Sequence, residues 1–325
     1  MNIRRFLFTA VLLSGGLVAT PAGAAVPTSP IAAVWVEPAQ GYGFLDAAVK
    51  GAAHSVDVSM YEINDPGIEG ALASAAQRGV TVQVLIDSDY ERSRNAPAVS
   101  YLLAHHVHVT WAPSGQIFHA KYVIIDNRRA YIGTGNFVAG DYSGTRDFWV
   151  EDTTSRDVAA MVSTFTGDVT GNGAGAVASG GLVWSPGSAP ALEALFASAH
   201  HTLLIENEEM YSYGIEDALV AAAHRGVNVT VVMTSDSRYY SDLHSLTAAG
   251  VHVRLMNSGQ TYIHAKVICA DCVGTRGTAF VGSINYSTSS LNYNRELGVI
   301  TTSPAVIAAV STTVLADAAA GTTFH

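Results

Sequence analysis

Apolar positions along the chain fall into two alternating periodicities. Over residues 44–53 and 68–77 they recur three and four apart, which predicts helices. Residues 56–60 and 80–86 are short, mostly apolar runs that read as strands. The runs 119–126 and 130–133 stand close enough to form a hairpin. Strands separated by helices predict an α/β protein whose sheet has parallel pairing and helical cover.

The same series then occurs again. Gly67-Ile68-Glu69, Arg78-Gly79-Val80 and Ser88-Asp89 are answered by Gly214-Ile215-Glu216, Arg225-Gly226-Val227 and Ser235-Asp236, each 147 residues later. Val107-His108-Val109 answers to Val251-His252-Val253, and Trp35 and Trp184 open the two copies. An ordered series of this kind predicts a duplicated domain. The stretch 171–181, almost all Gly, Ala, Ser, Asn and Val, is the expected linker, giving halves at 25–175 and 176–325.

Ahead of the first half, Arg4 and Arg5 precede an apolar run over 6–18, and Ala22-Gly23-Ala24 fits a small-x-small cleavage site. Residues 1–24 are thus expected to be a signal peptide cut after Ala24, making the protein secreted or extracytoplasmic.

Composition narrows the function classes. With 14% charged and 49% hydrophobic residues the chain is not a disordered one, and 30 Gly without a triplet period exclude collagen. The formal charge of −10 becomes −12 without the leader, which disfavours generic electrostatic binding to nucleic acid or anionic membrane. A local cluster of cations can still bind a phosphate-bearing substrate. Two cysteines cannot form a four-thiolate zinc site; Cys269 and Cys272, three apart in an exported chain, are expected to pair.

Each half carries one compact polar signature. The first is His119-Ala-Lys121 with Asp126, then Gly133-Thr134-Gly135-Asn136 and Arg146-Asp147. The second is His264-Ala-Lys266 with Asp271, then Gly282-Ser283-Ile284-Asn285 and Arg295-Glu296. In an extended segment residues two apart share a face, so each His and Lys point together.

This double pattern resembles the phospholipase D superfamily, whose signature is His-x-Lys-x4-Asp followed by Gly-Ser-x-Asn. Thr134 departs from the usual Ser, and four extra residues between Asp271 and Gly282 imply a longer hairpin turn. The resemblance implies two homologous phospholipase D-like lobes, each a mixed sheet flanked by helices. They would be related by a pseudo-twofold, with the active site at their interface. It also implies His119 as the nucleophile forming a phosphohistidine and His264 as the general acid.

Phosphodiester cleavage needs a nucleophile, a proton for the leaving oxygen and cations for the phosphoryl charge. Lys121 and Lys266 supply the charge, and Asn136 and Asn285 the amide donors. Asp147 and Glu296 are suited to accept from the imidazole Nδ1–H groups, leaving each Nε2 for phosphorus or the leaving oxygen. Thr134 and Ser283 are candidate substrate-binding hydroxyls, and Asp126 and Asp271 are expected to fix turns. Neither metal nor cofactor is expected, since two lysines can balance the charge. The cluster His105, His106 and His108 reads as surface.

Glu206, Glu208 and Glu209 read as a solvated strand end. Phe118, Trp149, Tyr211, Tyr262, Tyr286 and Tyr293 read mostly as core. The expected function is a phospholipase D that hydrolyses or transphosphatidylates glycerophospholipids at a membrane surface without an obligate protein partner. The alternative is a metal-independent nuclease of the same superfamily, with nucleic acid as its substrate.

Overall fold

The computed structural model describes residues 26–172 and 175–325. The expected signal peptide and residues 173–174 of the expected linker lie outside the described residues.

The repeated Arg-Gly-Val motif shows how sequence sets local structure. Helix Pro66–Gln77 starts at Asp65, whose carboxylate accepts from the Gly67 and Ile68 amides, and its apolar spacing buries Ile68, Ala71, Leu72 and Ala75. It stops because Gly79 takes a φ of +88°, a turn that Gly226 repeats with the same angle after helix Tyr213–His224. Arg78 donates to the Lys50 carbonyl and Arg225 to that of Phe196, so each arginine caps the end of the preceding helix.

The strands form two eight-stranded sheets of one plan. The first runs, in spatial order, Ala33–Glu37, Thr145–Asp152, Arg129–Gly133, Tyr122–Ile125, Ser55–Met60, Thr81–Ile86 and His108–Trp111, with Tyr262–Ile263 of the other half added beside Thr145–Asp152 as its eighth strand. The second runs Leu182–Ser185, Glu296–Thr301, Arg276–Gly282, Val267–Val273, Thr202–Glu206, Asn228–Thr234 and His252–Met256, with Thr322–Thr323 added at its edge. The strands from Ser55–Met60 to His108–Trp111, and from Thr202–Glu206 to His252–Met256, pair in parallel, as helical crossovers require. The others pair antiparallel, except that Tyr262–Ile263 joins Thr145–Asp152 in parallel.

The sheets stack face to face. Tyr122, Ile124, Ile132, Phe148 and Val150 of one share a core with Val267, Cys269, Val281, Leu297 and Val299 of the other. Helices Ser155–Thr170 and Pro304–Ala320 add Val158, Met161 and Phe165, and Val306, Ile307, Val310 and Val314, to the same core. The remaining long helices cover the outer faces and build a separate core in each half. Burial of each large side chain here contributes about 1.5–3 kcal/mol, so the contact between halves is part of the folding core.

The longer second hairpin differs from expectation. Its extra residues lengthen the strands to Val267–Val273 and Arg276–Gly282 and leave the connecting turn short. A register shift between Ala270 and Val273 absorbs the odd residue, with Asp271 at φ +51°. Cys269 and Cys272 are joined across it in a disulfide.

Candidate active site

The segments carrying the two histidines are extended but precede the ladder strands, which begin at Tyr122 and Val267. Each is instead held by the opposite half. Tyr262–Ile263 pairs in parallel with Thr145 and Arg146, while Phe118 forms a bridge with Arg295. The amides of His119 and Ala120 both donate to the Arg295 carbonyl at 2.9 Å. The acid that follows each arginine therefore lands beside the histidine of the other copy.

The result is a reciprocal exchange. His119 Nδ1 lies 2.9 Å from Glu296 Oε2, and His264 Nδ1 lies 2.8 Å from Asp147 Oδ1. Glu296 is fixed in turn by Ser290 Oγ at 2.5 Å and Asn294 Nδ2 at 3.1 Å. Asp147 is fixed by Thr134 Oγ1 at 2.5 Å. With a carboxylate on each Nδ1, both Nε2 atoms are presented to the space between the halves.

The lysines are fully buried and repeat one geometry. Lys121 Nζ donates to the His119 carbonyl and Lys266 Nζ to that of His264, each at 2.5 Å. Burial, joined by the charge of Lys266, pulls the Lys121 ammonium down to about 7. Burial likewise lowers His119 and outweighs the opposing pull of Glu296. Burial alone would raise Asp147 and Glu296, but the partner histidine of each, with a lysine behind it, holds both below the usual carboxylate range.

Gly133 and Gly282 sit where strands approach too closely for a side chain. A Cβ on Gly133 would lie 2.3 Å from the Trp149 ring, and one on Gly282 would lie 2.3 Å from Gly298 Cα.

Two cavities adjoin the paired histidines. One, of about 450 Å³, is lined by His264, Asn136, Asp141, Asp147, Glu208 and Tyr262 among others. The second, of about 610 Å³, is lined by His119, Asn285, Tyr61, Tyr211 and Glu209 among others. Asn136 thus shares a cavity wall with His264, and Asn285 one with His119. The carbonyl oxygens of both asparagine side chains are buried without a hydrogen-bond partner among the described residues.

The expected placement of Thr134 and Ser283 needs correction. Thr134 and Ser283 are fully buried, with hydroxyls directed at Asp147 and at the Leu297 carbonyl, so they brace the site from behind instead of facing substrate. Asp126 accepts from the amides of Ala53, His54 and Ser55, and Asp271 from those of His200, His201 and Thr202. Both tie the start of a parallel strand. Among the aromatics, Phe118, Trp149 and Tyr286 are core, but Tyr211 and Tyr293 are 66% exposed.

The acidic run 206–209 is not a solvated strand end. Glu206 is fully buried, and burial pushes its carboxyl well above the usual range. Glu208 enters the site: its Oε2 lies 2.8 Å from Lys266 Nζ and 3.3 Å from Asn285 Nδ2, and its Oε1 accepts from the Tyr262 hydroxyl at 2.8 Å. Burial works against its ionisation, but Lys266 and His264 prevail and keep it ionised. Sequence reasoning missed this residue. The available signal was its register, because the repeat places Glu208 opposite Tyr61 at the end of the equivalent strand.

Comparison with known proteins agrees with this architecture. A family model described as cardiolipin synthase, PLD-like domain, matches residues 45–168 and 192–317. Phospholipase D Y of Dictyostelium discoideum is 35% identical over 92 residues, covering 26% of this chain and 20% of that protein. The match thus spans about a fifth of that relative's length. A phosphatidylserine synthase from Haemophilus influenzae superposes with a TM-score of 0.70 at 13% identity, over 92% of this chain and 89% of that one. A polyphosphate kinase from Porphyromonas gingivalis gives 0.67 at 15% identity, over 88% and 50%. At these identities the two structures show a shared fold.

Proposed function

The chain belongs to the phospholipase D-like family, and from that premise we propose that it is a secreted phospholipase D acting on glycerophospholipids through a phosphohistidine. The observation that carries this reading is the reciprocal pairing of His119 with Glu296 and His264 with Asp147. It turns both Nε2 atoms away from their carboxylates, and the reading has them share one phosphodiester with two lysines and two amides, of which Lys266 and Asn285 now touch Glu208.

In the proposed cycle His119 Nε2 attacks phosphorus as the bond to the leaving oxygen breaks. That oxygen takes the Nε2 proton of His264 and departs as the headgroup alcohol. Water then gives its proton to His264 and attacks phosphorus, the P–N bond breaks, and phosphatidic acid leaves with His119 restored. An alcohol in place of water gives a new diester. Lys121, Lys266, Asn136 and Asn285 face the charge that grows on the phosphoryl oxygens.

Lipid is favoured over nucleic acid by the cavity beside His264. Its lining includes Asp141, Asp147 and Glu208 and neither lysine nor arginine. A polynucleotide would carry its next phosphate toward those carboxylates, whereas a neutral or cationic headgroup meets no repulsion. Secretion is supported by Arg4, Arg5 and the apolar run after them, and by the Cys269–Cys272 disulfide, which suits an oxidising compartment.

The test is a paired assay with EDTA present, following choline release from phosphatidylcholine vesicles and degradation of single- and double-stranded DNA. Lipid turnover alone is the expected result. DNA turnover alone transfers the assignment to a nuclease.

A further inference from the structure

The two halves offer matched groups at each motif position but differ in charge at one strand end. After strand Ser55–Met60 comes Tyr61, whose ring lies edge-on to His119 at 4.7 Å and 5.0 Å from Lys121 Nζ. At the equivalent place, two residues after strand Thr202–Glu206, stands Glu208. One of its oxygens touches Lys266 and Asn285 and lies 3.6 Å from His264 Nε2. A carboxylate oxygen therefore rests against three groups that the proposed cycle turns toward the diester.

That difference bears on a requirement of the chemistry. Two near-equivalent imidazoles must begin in opposite protonation states, one neutral and one charged. His264 is faced by Asp147 at Nδ1, Glu208 at Nε2, the ammonium of Lys266 and the ring of Tyr262, with Lys121 and the His119–Glu296 pair across the site. His119 touches one carboxylate, Glu296, and is faced by Lys121, by the phenol ring of Tyr61 and by the charge of Lys266, with Glu209 and Arg238 on the wall of the same cavity but neither bonded to its ring.

Resting on the phosphohistidine reading, we propose that Glu208 is the positioning residue that breaks this equivalence. Its carboxylate favours the charged form of His264, the proton donor, and occupies Lys266. His119 is left neutral as the nucleophile, and Lys121 is the first cation to meet the phosphate.

The test is an imidazole titration by nuclear magnetic resonance on the resting, ¹⁵N-labelled protein, with no substrate. In Glu208→Gln the His264 ring should titrate about one pH unit lower than in the wild type, with a smaller change at His119. Glu208→Asp should restore most of the difference. Tyr262→Phe removes only the hydroxyl that fixes Glu208 and should move His264 the same way by less; it decides the matter if Glu208→Gln does not fold. An unchanged His264 titration in the folded variant, or equal shifts at both histidines, overturns the proposal. The titration needs no turnover, so failure to cleave any diester would remove the functional reading without altering this result.

Discussion

His119 takes its hydrogen-bonding partner from the other half of the chain: its Nδ1 lies 2.9 Å from Glu296, 177 residues away. The same holds for His264 and Asp147. Neither half can orient its own histidine, so the duplicated unit works only as a pair.

Glu296→Gln and Asp147→Asn keep the shape of each acid and remove its charge. Each should lower kcat by about 10²–10⁴-fold with little change in KM, because the ring loses its fixed tautomer and its support as an imidazolium. Steady-state kinetics on both variants, with circular dichroism to confirm folding, checks this.

Lys121 illustrates a conflict between activity and stability. Its ammonium is pulled from 10.5 down to about 7 in the fold, so between those values the unfolded chain binds a proton that the native state releases. Stability contributed by this site therefore rises with pH across that window, and the full cost of the buried charge is present below pH 7. Lys121→Met should abolish turnover yet raise stability by roughly 1–3 kcal/mol at pH 6, with the gain shrinking toward pH 10. Urea unfolding at the two pH values measures the difference.

The Cys269–Cys272 disulfide closes a loop of sequence separation 3, so its effect on the unfolded chain is small. Replacing both cysteines by alanine should cost about 2 kcal/mol or less and leave kcat/KM nearly unchanged. Urea midpoints of the variant against the oxidised wild type test this.

Gly133 lies where a methyl group would sit 2.3 Å from the Trp149 ring. Trp149 is fully buried and adjoins the strand pair that leads to Asp147. Gly133→Ala should destabilise the protein by about 1–3 kcal/mol and lower activity by disturbing Asp147. Thermal unfolding and kinetics on the same preparation test both effects.

Much of this was legible in the sequence, for identifiable reasons. The repeat, the alternation of helix and strand and the His-x-Lys signatures are contiguous strings, and each local rule behind them points to the same fold. The exchange of Asp147 and Glu296 was hidden because each acid follows its own Asn by eleven residues, which looks local. It arises from the pairing of Ile263 with Arg146 and of Phe118 with Arg295, which no periodicity encodes. Glu208 was hidden for the same kind of reason: acids at a strand end are normally solvated, and Lys266, Asn285 and Tyr262 reach it from distant segments. Thr134 and Ser283 lie within the motif, but the close approach of neighbouring strands leaves their hydroxyls facing inward.

The most direct test of the central claim is to quench the wild-type enzyme during turnover of a phosphatidylcholine carrying a mass-labelled acyl chain and map the modified residue by mass spectrometry. The account predicts a phosphatidyl adduct on His119, lost in His119→Ala together with turnover and accumulating in His264→Asn. Turnover that proceeds with no histidine modified, or that survives His119→Ala, would contradict it.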